Sequence, residues 1–215
     1  MTKVNNTYIN GNFQKSDYIS YLDLINPSNE GVYGVLECAS VNDLEKAIQA
    51  AFIAQNACMS LSISERKHIL SQILTGIIER RDEIASMITL EMGAPINLSK
   101  NAHIQMGIDH LENTIHVLDE YKFESNENGY KIIKMPIGVA ALITPWNWPL
   151  NQTLTKIASA IAAGCAIVIK PSEYCAFSSK IIAEVIDASD LPPGGFNMVN
   201  GLGADLGPII SQHNL

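Results

Sequence analysis

The chain is short of several things that would settle its role at a glance. Cysteine is scarce, with Cys38, Cys58, Cys165 and Cys175 spread over 215 residues, without close-paired spacing and without adjacent histidines. That speaks against a disulfide framework and against a metal site, and it reads as free, buried thiols in a reducing, cytoplasmic setting. Positive charge is in deficit: 14 Lys and Arg face 22 Asp and Glu, for a net charge of -8 and a pI near 5.0. No basic surface is expected for nucleic acid or for an anionic membrane. Long apolar runs are missing too. The stretch Ile157–Ile169 is broken by Ser159 and Gly164 and falls below the roughly 18 to 20 residues of a spanning helix. The first residues lack the basic-then-apolar pattern of a leader peptide. No histidine pair, internal repeat or low-complexity tract is present. What remains is 47% hydrophobic and 17% charged, a normal globular composition with enough apolar residues for a core.

Residues 1–38 are rich in Asn, Ser, Tyr and Gly, with short β-like runs at Thr7–Ile9 and Gly31–Leu36 and a hairpin signal at Asn10-Gly11. Helical spacing then takes over. Ser40–Asp43 and Ser62–Glu65 have the form of capping boxes. Behind the second, Ile69, Leu70, Ile73, Leu74, Ile77 and Ile78 recur on one face. A further helix, Asp82–Met92, stops at Gly93, and a longer one is predicted over Asn97–Leu118. Tyr121–Glu124 and Tyr130–Met135 flank Ser125–Gly129 and predict a hairpin. From Pro136 onward strand and helix alternate: strands Val139–Ile143, Ala166–Ile169 and Phe196–Val199, helices Leu150–Ala163, Ser178–Ala188 and Ala204–Gln212. Nearly all-apolar strands separated by helices predict an α/β fold with a doubly wound parallel sheet covered on both faces.

In such a sheet ligands bind beyond the carboxyl ends of the strands. Two polar islands lie there: Thr144-Pro145-Trp146-Asn147-Trp148-Pro149 and Lys170-Pro171-Ser172-Glu173. Asn147 has two readings. It is the cap of the helix that Pro149 opens, or its amide is aimed at a developing oxyanion. Lys170 and Glu173 are a solvated loop pair, or they bind an adenosine ribose, the carboxylate accepting from both hydroxyls and the ammonium donating to them. A carboxylate at that point repels a 2′-phosphate and favours NAD, while Ser172 and Lys170 leave NADP possible. Gly201-Leu202-Gly203 through Gly207 follows the third strand as a G-x-G-x-x-x-G, one residue longer than the dinucleotide fingerprint. It is a plain turn, or a place where a ligand comes close to a helix start. Lys156 and Trp148 carry the same ambiguity between structural and functional roles. Cys165 and Cys175 flank the lysine strand, with nothing nearby to lower a thiol pKa in an obvious way.

Taken in order, Met135–Val139, Pro145-Trp146-Asn147, Ala162–Cys165, Lys170–Glu173, Leu191–Gly194 and Gly201–Gly203 resemble the aldehyde dehydrogenase superfamily, as do Ile25-Asn26-Pro27 and Glu91-Met92-Gly93. The resemblance covers essentially the whole chain and implies a Rossmann-like core. It implies NAD (or NADP) as cofactor and an aldehyde as substrate, oxidised through a cysteine thiohemiacetal. Asn147 matches the oxyanion donor. Ile143, Thr144, Pro145, Trp146 and Asn147 match the cofactor lining near nicotinamide and ribose. Lys170, Ser172 and Glu173 match the adenosine-ribose segment, Gly203 and Gly207 the turn and helix start beneath the adenine, and Trp148 an aromatic of the aldehyde tunnel. The hairpin around residues 121–136 resembles an oligomerisation arm, which implies a dimer or tetramer. The expected division is an N-terminal β and helical part (1–120), the arm (121–136) and the cofactor-binding core (137–215).

The family's nucleophilic cysteine, its general-base glutamate and its Gly-Ser segment match nothing in these 215 residues. The expectation is therefore a cofactor-binding portion that is inactive by itself. The alternative is a non-catalytic remnant or interaction module that binds cofactor or family subunits.

Overall fold

The computed structural model describes residues 2–5, 7–16 and 20–214. Its central sheet has five strands in the order β3-β2-β10-β9-β8. β8 (Ala140–Ile143), β9 (Ile167–Lys170) and β10 (Phe196–Met198) run parallel, and β2 (Tyr8–Ile9) and β3 (Asn12–Phe13) add an antiparallel hairpin beside β10. Asn10 and Gly11 form that hairpin's turn with φ of 52° and 80°, the left-handed pair that a two-residue hairpin requires. Asn197 fastens the hairpin to the sheet: its side-chain oxygen accepts the Asn10 N–H at 3.0 Å, and its amide donates to the Gly194 carbonyl at 2.7 Å.

Helices cover both faces of β9, and the residue alternation of a strand decides which side chain meets which layer. Ile167 and Ile169 enter the larger core, formed with α2 (Ile63–Glu79), α3 (Arg81–Met92), α5 (Ile104–Glu120), α6 (Pro149–Ala163) and α7 (Ala176–Asp187). Ala166 and Val168 enter a second core with α1 (Val41–Ser60) and α8 (Gly203–Gln212). Each fully buried Leu or Ile in these layers stabilises the fold by about 1.5 to 3 kcal/mol. α5 is entered through a short α4 (Ile96–Leu98) and a π-turn, Ser99–His103. Both expected capping boxes form, at Ser40 with Asp43 and at Ser62 with Glu65. Pro149 opens α6, and Gly164 closes it at φ 83°, where a Cβ would run into the Arg66 guanidinium at 2.6 Å.

Four expectations need correction. β8 is not covered on both faces: it is the edge strand, and its residues alternate between half-buried and exposed. Lys170 belongs to β9 as its last, fully buried residue and is not the first residue of a loop. The 121–136 hairpin turns at Asn128-Gly129, the expected tip, but its strands are placed differently: β6 (Glu124–Glu127) reaches into the segment read as a loop, and β7 (Tyr130–Ile133) ends before Met135. The N-terminal β-like runs also build a separate three-stranded sheet, in the order β1-β5-β4. β1 (Thr2–Asn5) lies parallel and β4 (Ser20–Ile25) antiparallel to β5 (Val32–Cys38). Charged residues at Lys3, Asp23 and Glu37 hide its alternation.

Candidate cofactor and oxyanion site

Parallel pairing sets Ile143 opposite Lys170 and Ile169 opposite Met198. The turns that leave β8, β9 and β10 therefore start side by side on one edge of the sheet. The Thr144 N–H donates to the Lys170 carbonyl at 3.2 Å, continuing the ladder into the turns.

Lys170 is the hub. Its side chain is almost wholly buried, and its ammonium donates to the Pro171 carbonyl at 2.9 Å, the Gly201 carbonyl at 2.8 Å and Glu173 Oε2 at 3.2 Å. An ammonium has three donors, so all are engaged, and a ribose hydroxyl reaches Lys170 only by displacing an acceptor. Glu173 bridges onward: its Oε1 accepts the Gly203 N–H at 3.3 Å. Burial pushes the Glu173 carboxyl up, but its own backbone N–H, the Lys170 charge and the Gly203 N–H outweigh that and hold it below the usual carboxylate value. The carboxylate is therefore charged at neutral pH, and it is only half-buried. Ser172 is buried and spent locally, its hydroxyl accepting the Tyr174 N–H at 3.3 Å as the cap of the turn Glu173–Cys175.

The glycine-rich turn owes nothing to left-handed backbone. Gly201, Gly203 and Gly207 are absent from the residues at positive φ. At Gly201 the reason is space, since a Cβ would sit 3.1 Å from Leu206. At Gly203 a Cβ would meet only ordinary contacts, Lys170 at 3.8 Å and Glu173 at 4.0 Å, and at Gly207 it would find nothing within 4 Å. Gly207 does precede Pro208, and a side chain before proline disfavours the helical conformation found there.

The turn after β8 is built otherwise. Thr144 is buried with its hydroxyl 3.5 Å from that of Thr153, and the Cys175 thiol donates to the Trp146 carbonyl at 3.6 Å. Pro145, Trp146 and Asn147 are exposed, as is Ile143 at the strand end. The cap position of α6 is Trp148, with no side-chain cap bond. The Asn147 amide is exposed and makes no hydrogen bond to a described residue, so it is not spent on starting the helix. Trp148 is half-buried, its indole stacked on His103 with centroids 4.0 Å apart. Lys156 is half-buried on α6, with Gln152 Oε1 3.4 Å from its ammonium.

Three participants carried no signal in the sequence. His103 is one of five scattered histidines. Thr153 is an unremarked helix residue. The third is the use made of Glu91, whose carboxylate accepts the Phe177 N–H at 2.5 Å and the Ser178 N–H at 3.2 and 3.3 Å, tying α3 to the start of α7 behind the Lys170 turn. Burial raises its pKa to about 7 against the pull of those bonds. The four cysteines are all buried. Burial pushes Cys58 up to about 11 and raises Cys38 and Cys175. None of those three is a thiolate at neutral pH. No group of His, Cys, Asp and Glu among the described residues forms a metal cluster, and no described helix is long and apolar enough to cross a membrane. A cavity of about 540 Å³ between α2 and α7, lined among others by Arg80 and Glu184, holds none of the site residues. Arg80 is spent there on Glu83 and Glu184.

The edge thus sets a charged carboxylate and an exposed amide at the carboxyl ends of parallel strands, the place where α/β folds take ligands, and comparison with known proteins narrows the class. Residues 13–215 match the aldehyde dehydrogenase family, and the chain belongs to that family. A Staphylococcus haemolyticus protein, whose name assigns it provisionally to the aldehyde dehydrogenases, is 42% identical over 206 residues, covering 96% of this chain and 43% of its own length. The crystal structure of an aldehyde dehydrogenase from Bartonella henselae superposes with a TM-score of 0.96 at 37% identity, over 99% of this chain and 46% of that one. Aldehyde dehydrogenase C of Pseudomonas syringae, solved as a cysteine-to-alanine variant with NAD+ and octanal, gives 0.95 at 36% identity, over 99% and 45%. The chain thus spans less than half the length of the relatives it matches.

Proposed function

We propose that these residues form the cofactor-binding and oxyanion-donating part of an NAD-dependent aldehyde dehydrogenase, with residues 137–215 as the cofactor core. The observation that carries the reading is the single sheet edge where a charged Glu173, braced by Lys170 and the Gly203 N–H, lies beside a turn whose exposed Asn147 amide has no partner among the described residues. The residues fit the group. Glu173 accepts from a ribose diol, Gly203 allows close approach, and Ile143 to Trp146 line the next stretch. NAD, when bound, accepts hydride from the aldehyde carbon. Asn147 donates to the oxygen that gains charge as a thiolate adds to the carbonyl, and Trp148 forms part of the aldehyde wall. The thiolate itself comes from outside these residues, since Cys38, Cys58 and Cys175 are held as buried thiols and Cys165 is buried as well. The 215 residues alone are therefore inactive in this reading.

A second role rests on the hairpin. Every residue of β7 is exposed, and Tyr130, Ile133, Met135 and Ile137 present 54 to 90% of their surfaces. We read this as the arm that joins subunits of a homo-oligomer.

The test uses one residue and two cofactors. Glu173→Gln in the chain removes the charge that engages the ribose diol and repels a 2′-phosphate. It should weaken NAD binding more than NADP binding, shifting selectivity by about tenfold or more, as expected for a charge-assisted bond of roughly 1.5 to 3 kcal/mol. Calorimetric titration of both cofactors measures it. Equal losses for the two would put Glu173 outside the ribose site.

A further inference from the structure

The sequence offered no reason to single out His103, and the structure places it against the most functional-looking aromatic of the molecule. It is the last residue of the π-turn Ser99–His103, a helical distortion with one residue more than an α turn and one that recurs at functional sites. One turn on, at Gly107, α5 comes so close to α6 that a Cβ would sit 2.9 Å from Leu150 Cγ and 3.1 Å from Leu154. The two features together lay α5 against the first turn of α6. They deliver the His103 ring onto the Trp148 indole at 4.0 Å, with only 22° between the planes.

The imidazole is a costly way to fill that space. His103 is 2% exposed, and its Nδ1 is buried without a hydrogen-bond partner among the described residues. Burial lowers its pKa below the ordinary histidine value, so a neutral ring lies there. The indole N–H in turn makes no hydrogen bond to a described residue, and no side-chain cap fixes the Trp148 position.

We propose that His103 is a positioning residue, acting through Trp148, that holds the indole as a rigid wall beside Asn147 and so sets how closely an aldehyde packs there. The substrate part of this statement rests on the dehydrogenase reading above, and the positioning part does not.

The experiment separates the two. Trp146 and Trp148 are the only tryptophans, so Trp146→Phe leaves Trp148 as the sole emitter in the 215-residue chain. In that background His103→Leu, which keeps volume but removes the ring, should red-shift the emission and raise quenching by acrylamide. His103→Phe should restore both. Loss of an aromatic pair of this kind changes the stacked population by roughly two- to tenfold. Should His103→Leu not fold, His103→Gln takes its place. Emission that is the same with Leu, Gln, Phe or His at 103 overturns the proposal whatever the enzyme does. The second arm uses this chain joined, at the aligned position, to the remainder of the staphylococcal relative. There His103→Leu should raise the KM for octanal with the KM for NAD unchanged, and His103→Phe should reverse it. A parallel rise in both KM values would mark a general loss of structure and overturn positioning. Normal emission responses with no change in aldehyde KM would overturn the substrate part alone.

Discussion

The turns after β9 and after β8 begin side by side, yet they are opposite kinds of construction. The first is closed: Lys170 is buried, its three donors are taken, and Glu173 is braced from two sides. The second is open: Asn147 points an amide at solvent, and a pair of buried threonines, the Cys175 thiol and a ring stack shape the turn around it. A site for a cofactor that binds every cycle benefits from a charge fixed before the ligand arrives. A donor meant for charge that exists only in a transition state must be left unspent in the resting fold. The contrast follows from strand position. β9 is central and covered on both faces, and β8 is the edge.

The largest expected effect breaks the closed turn. Lys170→Met leaves the buried Pro171 and Gly201 carbonyls without their donor and the half-buried Glu173 carboxylate with backbone N–H groups alone. Removing one member of a buried pair costs about 3 to 5 kcal/mol. Urea denaturation of the chain should show that loss, together with loss of NAD binding. A variant within 1 kcal/mol of the original would mean the hub is dispensable.

Next comes the open turn. Asn147→Ala, in the chain joined to the remainder of the relative, should lower the single-turnover acylation rate by about a hundredfold to a thousandfold. NAD affinity should be unchanged. Because the exposed side chain makes no hydrogen bond to a described residue, stability should move by less than about 0.5 kcal/mol. The competing cap role predicts the reverse, a loss of about 1 kcal/mol with the rate nearly intact. Melting temperature and rate on the same variant decide.

Much of this contrast was legible in the sequence. The strands, the order of the turns and the polar residues at their ends follow from periodicity and from the sheet-edge rule. The capping boxes and Pro149 carried their own local chemistry. The sequence did not reveal that β8 is an edge, because an apolar strand reads alike wherever it stands in the order. The burial of Lys170 was hidden for a related reason: a lysine after four apolar residues looks like the start of a loop, and burial is made tolerable by the Gly201 carbonyl from β10's turn meeting the Pro171 carbonyl and Glu173 of its own. His103 was invisible because its partner lies 45 positions away and the π-turn resets the helical face. The three-stranded sheet was missed because charged residues interrupt its apolar alternation.

The smallest expected effect sharpens the comparison at the seam between fold and ligand. Gly203 opens α8 against the closed turn; at most other glycines packing or positive φ would confound a change to alanine, and at Gly207 the following Pro208 would. Here neither does: its φ is not left-handed, and a Cβ would meet Lys170 and Glu173 only at ordinary contact distance. The fold therefore accepts Gly203→Ala. An alanine entering a helix at a compatible backbone should change stability by no more than about 1 kcal/mol, in the stabilising direction. If the space above Gly203 belongs to the cofactor, the same methyl group should weaken NAD binding while the melting temperature stays level or rises. A small, opposite movement of the two quantities is the signature of a residue kept for a ligand. A fall in both would instead make the glycine part of the closed turn's own packing, and a rise in stability with NAD affinity untouched would move the cofactor away from this helix start.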